Sequence, residues 1–180
     1  MVQSIESCVL YFSDELRYGL MSNFRRSWSR VGVRSVLPQK QGFINSYLFT
    51  AINPINGDSF HLLGLDEMST ETEYIFLTEL KKQHPNEHVV VVIDNAPCHK
   101  PKILHNIHGL TIIYLPPYSP ELNPVERFFE EIRRSTANEL FITLDDIENR
   151  ITDAINSWSK ESLIDLCCYD WIRKQWEEVN

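Results

Sequence analysis

Four consecutive valines, Val89 to Val92, lie inside one short run, and a second run rich in β-branched and large apolar residues follows at 110–115. A stretch with no polar face suits a strand covered on both sides, not one with a wet face. Between the two runs lie Pro97 and a short helix-capable stretch at 101–107. That order reads as strand, crossover, strand, which makes the pair parallel and commits the chain to an α/β architecture.

The remaining elements arrange themselves around this pair. CVLYF at 8–12 reads as a first strand ending in Ser13, Asp14 and Glu15, with further strands at about 30–36, 44–52 and 58–64. The turn residues of NPING, 53–57, make the last two a hairpin, so the first third is an antiparallel meander. Tyr74, Leu77 and Leu80 give a helical period over 70–83 that stops near His84 and Pro85. LPPYSPELNP, 115–124, holds too much proline for helix or central strand and reads as a stiff extended connector. A helix then begins at Asn123 and Pro124, a good N-cap and a good first residue, with Val125, Phe128, Phe129 and Ile132 on one face. Leu144, Ile147, Ile151, Ile155 and Trp158 mark another helix with Thr143 as its cap, and the tail from Glu161 is helical. The expected fold class is α/β with a mixed sheet, and 180 residues suit a single domain spanning 1–180.

Composition excludes several classes. With 43% hydrophobic residues the chain has enough apolar side chains for a core, while its apolar runs fall far short of the ~18–20 residues of a membrane span. No basic-then-apolar leader opens the sequence, and Cys8, Cys98, Cys167 and Cys168 lack paired C-x-x-C spacing. The expectation is a cytoplasmic protein with reduced thiols and no membrane partner, nucleoid-associated if bacterial. The net charge of −8 argues against indiscriminate nucleic-acid binding. Its distribution is uneven: residues 16–57 carry Arg17, Arg25, Arg26, Arg30, Arg34 and Lys40 and no acid. Such a stretch suits a phosphate backbone, or equally a solvated face paired with the acidic C-terminal third.

Functional groups in open α/β sheets gather where strands end. Asp14 follows the first strand, Asp94 follows the valine run, and Glu126 opens the helix after the proline-rich connector. If the first and fourth strands are parallel neighbours, these three acids meet. Carboxylates that close raise one another's pKa unless a cation neutralises them, and hard oxygen ligands suit Mg²⁺ or Mn²⁺. Each acid also has a structural role open to it: Asp14 as a strand-end turn residue, Asp94 in shaping the turn at 94–97, and Glu126 as a capping-box partner of Asn123. On the same helix, Glu130 is placed to pair with Arg134 at i, i+4 and reads as structural.

Three ordered blocks carry a family resemblance: LYFSDE at 10–15, VIDNAPCH at 92–99 and LPPYSPELNPVE at 115–126. They resemble the blocks of DDE transposases of the mariner superfamily, in its bacterial insertion-sequence branch, over about residues 7–160. The resemblance implies an RNase H-like fold with a mixed five-stranded sheet flanked by helices. It implies Asp14, Asp94 and Glu126 as catalytic residues and metal ligands, with 31 residues between the last two. It also implies two Mg²⁺ ions with Mn²⁺ as substitute, cleavage at element ends, and strand transfer into target DNA. Arg25, Arg26, Arg30, Arg34, Lys40, Asn95, His99 and Tyr118 are the DNA-facing candidates. Asn95 and His99 are placed to orient water, metal ligands or phosphate, although a His before Lys100 and Pro101 also suits an exposed position. Tyr118 and Ser119 suit a DNA path or a rigid connector. Members of the family carry N-terminal helix-turn-helix modules, for which the early first strand leaves no room. The implied partners are therefore DNA, a second copy of the chain, and an upstream DNA-binding polypeptide. A catalytically silent relict retaining only a DNA or protein contact is the alternative. A nuclease acting on RNA/DNA hybrids is disfavoured by the proline-rich block.

Overall fold

The computed structural model describes residues 7–26, 28–33, 36–37, 39 and 42–179. Five strands, β1 (Cys8–Gly19), β2 (Asn45–Ile52), β3 (Ser59–Leu65), β4 (His88–Ile93) and β5 (Leu110–Tyr114), form one sheet in the order β3-β2-β1-β4-β5. β1, β2 and β3 pair antiparallel, while β4 lies parallel to both β1 and β5. The mixed sheet thus follows from a meander joined to a crossover unit, as the apolar patterning requires.

Helices cover both faces. α1 (Thr70–Gln83) packs on one side, with Phe76, Leu77 and Leu80 against Phe49, Val89, Val91 and Ile93. α2 (Val125–Ser135), α3 (Leu144–Asn156), α4 (Lys160–Cys167) and α5 (Asp170–Val179) cover the other, where Phe128, Phe129 and Ile132 meet Phe12, Leu48, Ile52 and Val92. Alternation along β2 serves both cores: Leu48 and Ile52 face one, Phe49 and Ala51 the other. The valine run is consumed in the same way, Val92 on one face and Val89 and Val91 on the opposite one. Ser69 caps α1 and Thr143 caps α3, each reciprocated by the N3 side chain.

Three sequence expectations are corrected. No strand forms at 30–33 or at 36, where Val33 N–H closes a turn onto the Arg30 carbonyl through Gly32 at φ 80°. β1 does not end before Asp14 but continues to Gly19, because its second half pairs with β2 after β4 has left it. The buried stripe of α1 is Glu73, Phe76, Leu77 and Leu80, at i, i+3, i+4 and i+7, whereas Tyr74 is exposed. A charged residue at the head of that stripe hid the true register.

Candidate active site

Parallel pairing sets Phe12 beside Val92, so Asp14 and Asp94, each two residues further on, leave the β1–β4 ladder at the same level. β1 continues along β2 beyond this point while β4 stops at Ile93, and a cleft of about 550 Å³ opens where they part. Asp14, Asp94 and Glu126 all line it, together with Asn95, Asn123 and the 115–120 connector. The connector carries the chain from the end of β5 to the start of α2, and so returns Glu126 to the level of the two aspartates.

Each acid is held differently. Asp14 Oδ1 accepts the backbone N–H of Glu15 at 2.8 Å, and Asp14 Oδ2 accepts Asn123 Nδ2 at 3.3 Å. Burial pushes the Asp14 carboxyl up to about 8, with the charges of Glu15, Glu126 and Asp94 adding to it against the pull of the Glu15 N–H. Asp94 is exposed and accepts the Ala96 backbone N–H at 2.9 Å, an Asx turn that aims its carboxylate. Glu126 Oε2 lies 3.5 Å from Arg133 Nη1. The expected cap is displaced by one residue: α2 starts at Val125 with Pro124 in the N-cap position, while Asn123 Oδ1 still accepts the Val125 N–H from just outside the helix. The Asn123 amide also donates to the Ser13 carbonyl at 3.0 Å, tying α2 to β1. Glu126 is not its capping-box partner: the Glu126 N–H meets the Asn123 carbonyl.

Behind Asp14 and Asp94 sits a second group, of which sequence reasoning named only His99. His99, expected at the surface in one reading, is 1% exposed, and its Nδ1 is 2.8 Å from Asp94 Oδ1. Its Nε2 is 3.1 Å from Glu15 Oε1 and 3.8 Å from Glu73 Oε2, so the three side chains come within reach of one cation. Burial works against charge on His99, but the hydrogen bond and charge of Glu15, with Glu73 and Asp94, raise its pKa to about 9. Burial also drives the Glu73 carboxyl well above the usual range, and the Glu15 carboxylate adds to the effect. Glu73 is fully buried, and neither of its oxygens has a hydrogen-bond partner among the described residues. The signal for it was available: an acid at i, i+3, i+4 and i+7 with three large apolar residues belongs to the buried face.

The DNA-facing candidates separate. Asn95 lines the cleft, its Nδ2 3.4 Å from the Leu115 carbonyl. Tyr118 stands at the cleft wall, 101% exposed and at φ 59°. Arg25 is tied down: its Nη2 is 2.6 Å from Glu130 Oε2 and its N–H meets Asn138, beyond the far end of α2. Arg26 and Arg30 are exposed, and Arg34 and Lys40 lie outside the described residues. Glu130 pairs with Arg25 and Arg133, while Arg134 turns to Glu131, so the expected Glu130 to Arg134 pair does not form.

Among solved structures the fold is similar to the Mos1 transposase in its paired-end complex with the left transposon end, at TM-score 0.72 and 15% identity over 97% of this chain and 55% of that one. The chain therefore spans about half the length of that transposase. The HTLV-2 integrase catalytic core domain, solved in complex with magnesium, matches at TM-score 0.50 and 10% identity, covering 84% of this chain and 87% of that one. The fold is thus the RNase H-like one of transposase and integrase cores. In sequence, an uncharacterized protein of Sinorhizobium fredii, y4pE/y4sA, is 32% identical over 117 residues, 64% of this chain and 84% of that protein. Residues 9–148, which contain all three acids, match the DDE superfamily endonuclease family. With most of the chain inside that match, the protein belongs to the DDE superfamily endonucleases.

Proposed function

We propose that this domain cleaves DNA phosphodiesters in a divalent-metal-dependent reaction and transfers the resulting strand ends, as the catalytic part of a cut-and-paste transposase. The observation that carries the reading is the convergence of Asp14, Asp94 and Glu126 on one open cleft from three different elements. The donor set fits the metal. Carboxylate oxygens are hard ligands for Mg²⁺ or Mn²⁺, and the charges of Glu126 and Asp94, which add to burial in raising the Asp14 pKa, are ones a bound cation would offset. In this reading Asp14, Asp94 and Glu126 hold two Mg²⁺ ions, with Mn²⁺ as substitute. Bound there, the metal supplies activation of the attacking oxygen and stabilisation of the leaving one.

The chain's own residues set the geometry for that chemistry. Asn123 fixes one oxygen of Asp14 and ties α2 to β1, which holds Glu126 at a constant distance from the sheet. The Ala96 N–H orients Asp94. Arg133, beside Glu126 and Glu130, limits repulsion along α2 while leaving the Glu126 carboxylate on the cleft. Tyr118 and the exposed Arg26 and Arg30 are the groups offered to DNA, the tyrosine through its ring face and the arginines through phosphate contacts. A second copy of the chain and an upstream DNA-binding polypeptide are the further partners this reading implies.

Nicking of duplex DNA in Mg²⁺ or Mn²⁺ tests the proposal. The wild type is expected to cleave and Glu126→Gln to fall to background. Equal cleavage by both rejects the assignment of Glu126, and no cleavage by the wild type in either metal favours a silent relict.

A further inference from the structure

The carboxylates of Asp14 and Asp94 have no direct bond to one another, yet a continuous chain of contacts runs between them. Asp14 Oδ1 accepts the Glu15 N–H at 2.8 Å, and Glu15 Oε1 lies 3.1 Å from His99 Nε2. His99 Nδ1 completes the chain at 2.8 Å from Asp94 Oδ1. Oxygens face both ring nitrogens: the Asp94 carboxylate and carbonyl at Nδ1, Glu15 and Glu73 at Nε2.

The ring is also fixed from outside. Its residue ends the 3₁₀ turn Pro97–His99. The Tyr114 hydroxyl donates to the His99 carbonyl at 2.6 Å, and the Thr70 hydroxyl donates to the Cys98 carbonyl at 3.1 Å, pinning the turn to β5 and α1. With the turn held at both carbonyls, the imidazole meets Asp94 and Glu15 from a fixed stretch of backbone. Buried Glu73 places a further acidic side chain against the Nε2 side of the ring.

We propose that Glu15 and His99 form a brace that sets the separation and orientation of Asp14 and Asp94, making both of them positioning residues for the metal-dependent reaction. The proposal rests on the reading that the two aspartates hold metal. Outer groups that orient metal ligands typically contribute 10–100-fold to affinity or activity.

Mn²⁺ binding, followed by loss of the free-ion EPR signal, tests the brace without requiring cleavage. His99→Asn places an amide where Nδ1 stood and keeps a donor for Asp94. His99→Gln reaches toward Glu15 and abandons Asp94. The expected loss of Mn²⁺ affinity is a few-fold for His99→Asn and about 10–100-fold for His99→Gln. Glu15→Gln keeps the backbone N–H on Asp14 and is expected to lose a few-fold. Ile151→Val, a core change on the opposite face of the sheet, is expected to lower Tm and leave Mn²⁺ affinity unchanged. The brace is overturned if affinity follows Tm across all four variants, or if the His99 variants bind as the wild type does. It is also overturned if the wild type takes up an extra equivalent of Mn²⁺ that Glu73→Gln removes, which makes the buried cluster a cation site in its own right. A wild type that binds no Mn²⁺ rejects the metal-holding reading itself, and the brace with it.

Discussion

Two acidic groups lie back to back at the same edge of the sheet and have opposite electrostatics. In front, Asp14, Asp94 and Glu126 share an open cleft, and Arg133 touches only Glu126. Behind, Glu15, Glu73 and His99 are buried, and the histidine brings its own positive charge. The rear group holds its histidine between its own carboxylates, whereas the front one is met only at its edges, by His99 at Asp94 and Arg133 at Glu126, and Asp14 faces no cationic side chain among the described residues. That difference leaves Asp14 as the acid on which an added cation should act most.

The largest effect is expected from breaking the rear group. His99→Ala leaves the Glu15 carboxylate without its counter-charge, and removing one partner of a buried pair costs about 3–5 kcal/mol. Chemical denaturation is expected to show a loss of that order, and a loss under about 1 kcal/mol would mean that the rear acids do not depend on the histidine for their charge balance. pH sharpens the same point. His99 has a folded pKa of about 9 against 6.5 unfolded, so its contribution is complete below 6.5 and is lost as pH rises through 9. Asp14, raised to about 8 from 3.8, binds its proton more tightly when folded, so its ionisation also costs stability as pH rises from 4 to 8. The metal-free protein is therefore expected to lose Tm steadily between pH 6.5 and 9, and His99→Ala to show a flatter profile over that window.

Filling the front group should give the next largest effect. A ligand bound only to the folded state at 100 times its Kd adds roughly 2.7 kcal/mol, which is several degrees of Tm for a chain this size. Mn²⁺ is expected to stabilise the wild type and Glu130→Gln but not Asp94→Asn. Equal stabilisation of all three would place the metal outside the cleft. The smaller companion effect comes without metal: Asp14→Asn replaces a half-buried carboxyl whose ionisation the fold disfavours and is expected to raise the Tm of the metal-free protein by a few degrees, about 1 kcal/mol. A fall in Tm would mean that the hydrogen bonds from Glu15 and Asn123 outweigh the repulsion.

The front group and His99 were legible in the sequence and Glu15 and Glu73 were not, for a physical reason. Asp14, Asp94 and Glu126 stand at places where periodicity breaks, after the valine run, after the proline connector and beside a β-prone run, and such breaks are visible one element at a time. Glu15, Glu73 and His99 come from three elements whose meeting depends on the depth at which α1 packs on the sheet and on the turn at Pro97–His99. Local pattern contains neither. The valine run, the α2 stripe and the Thr143 cap were readable because each is a one-element property. No strand forms over the described residues 30–33 and 36, where β-prone side chains meet no neighbouring described strand and so build no ladder.

An exposed ion pair on α2 gives the sharpest control. Glu130 is one turn beyond Glu126 and has two arginine partners, with Arg25 at 2.6 Å and Arg133 at 3.0 Å. The Arg25 side chain hydrogen bond is the main reason its carboxyl sits below the usual range, with Arg133 next. Its side chain is 52% exposed, so the pair works in high dielectric and is worth about 0.2–1 kcal/mol. Glu130→Gln is expected to cost no more than that in denaturation, to lose even this difference at about 1 M salt, and to leave Mn²⁺ affinity within two-fold. A ten-fold loss of Mn²⁺ affinity would instead make Glu130 part of the front group. The division between self-neutralised and metal-seeking carboxylates would then have to be redrawn along α2.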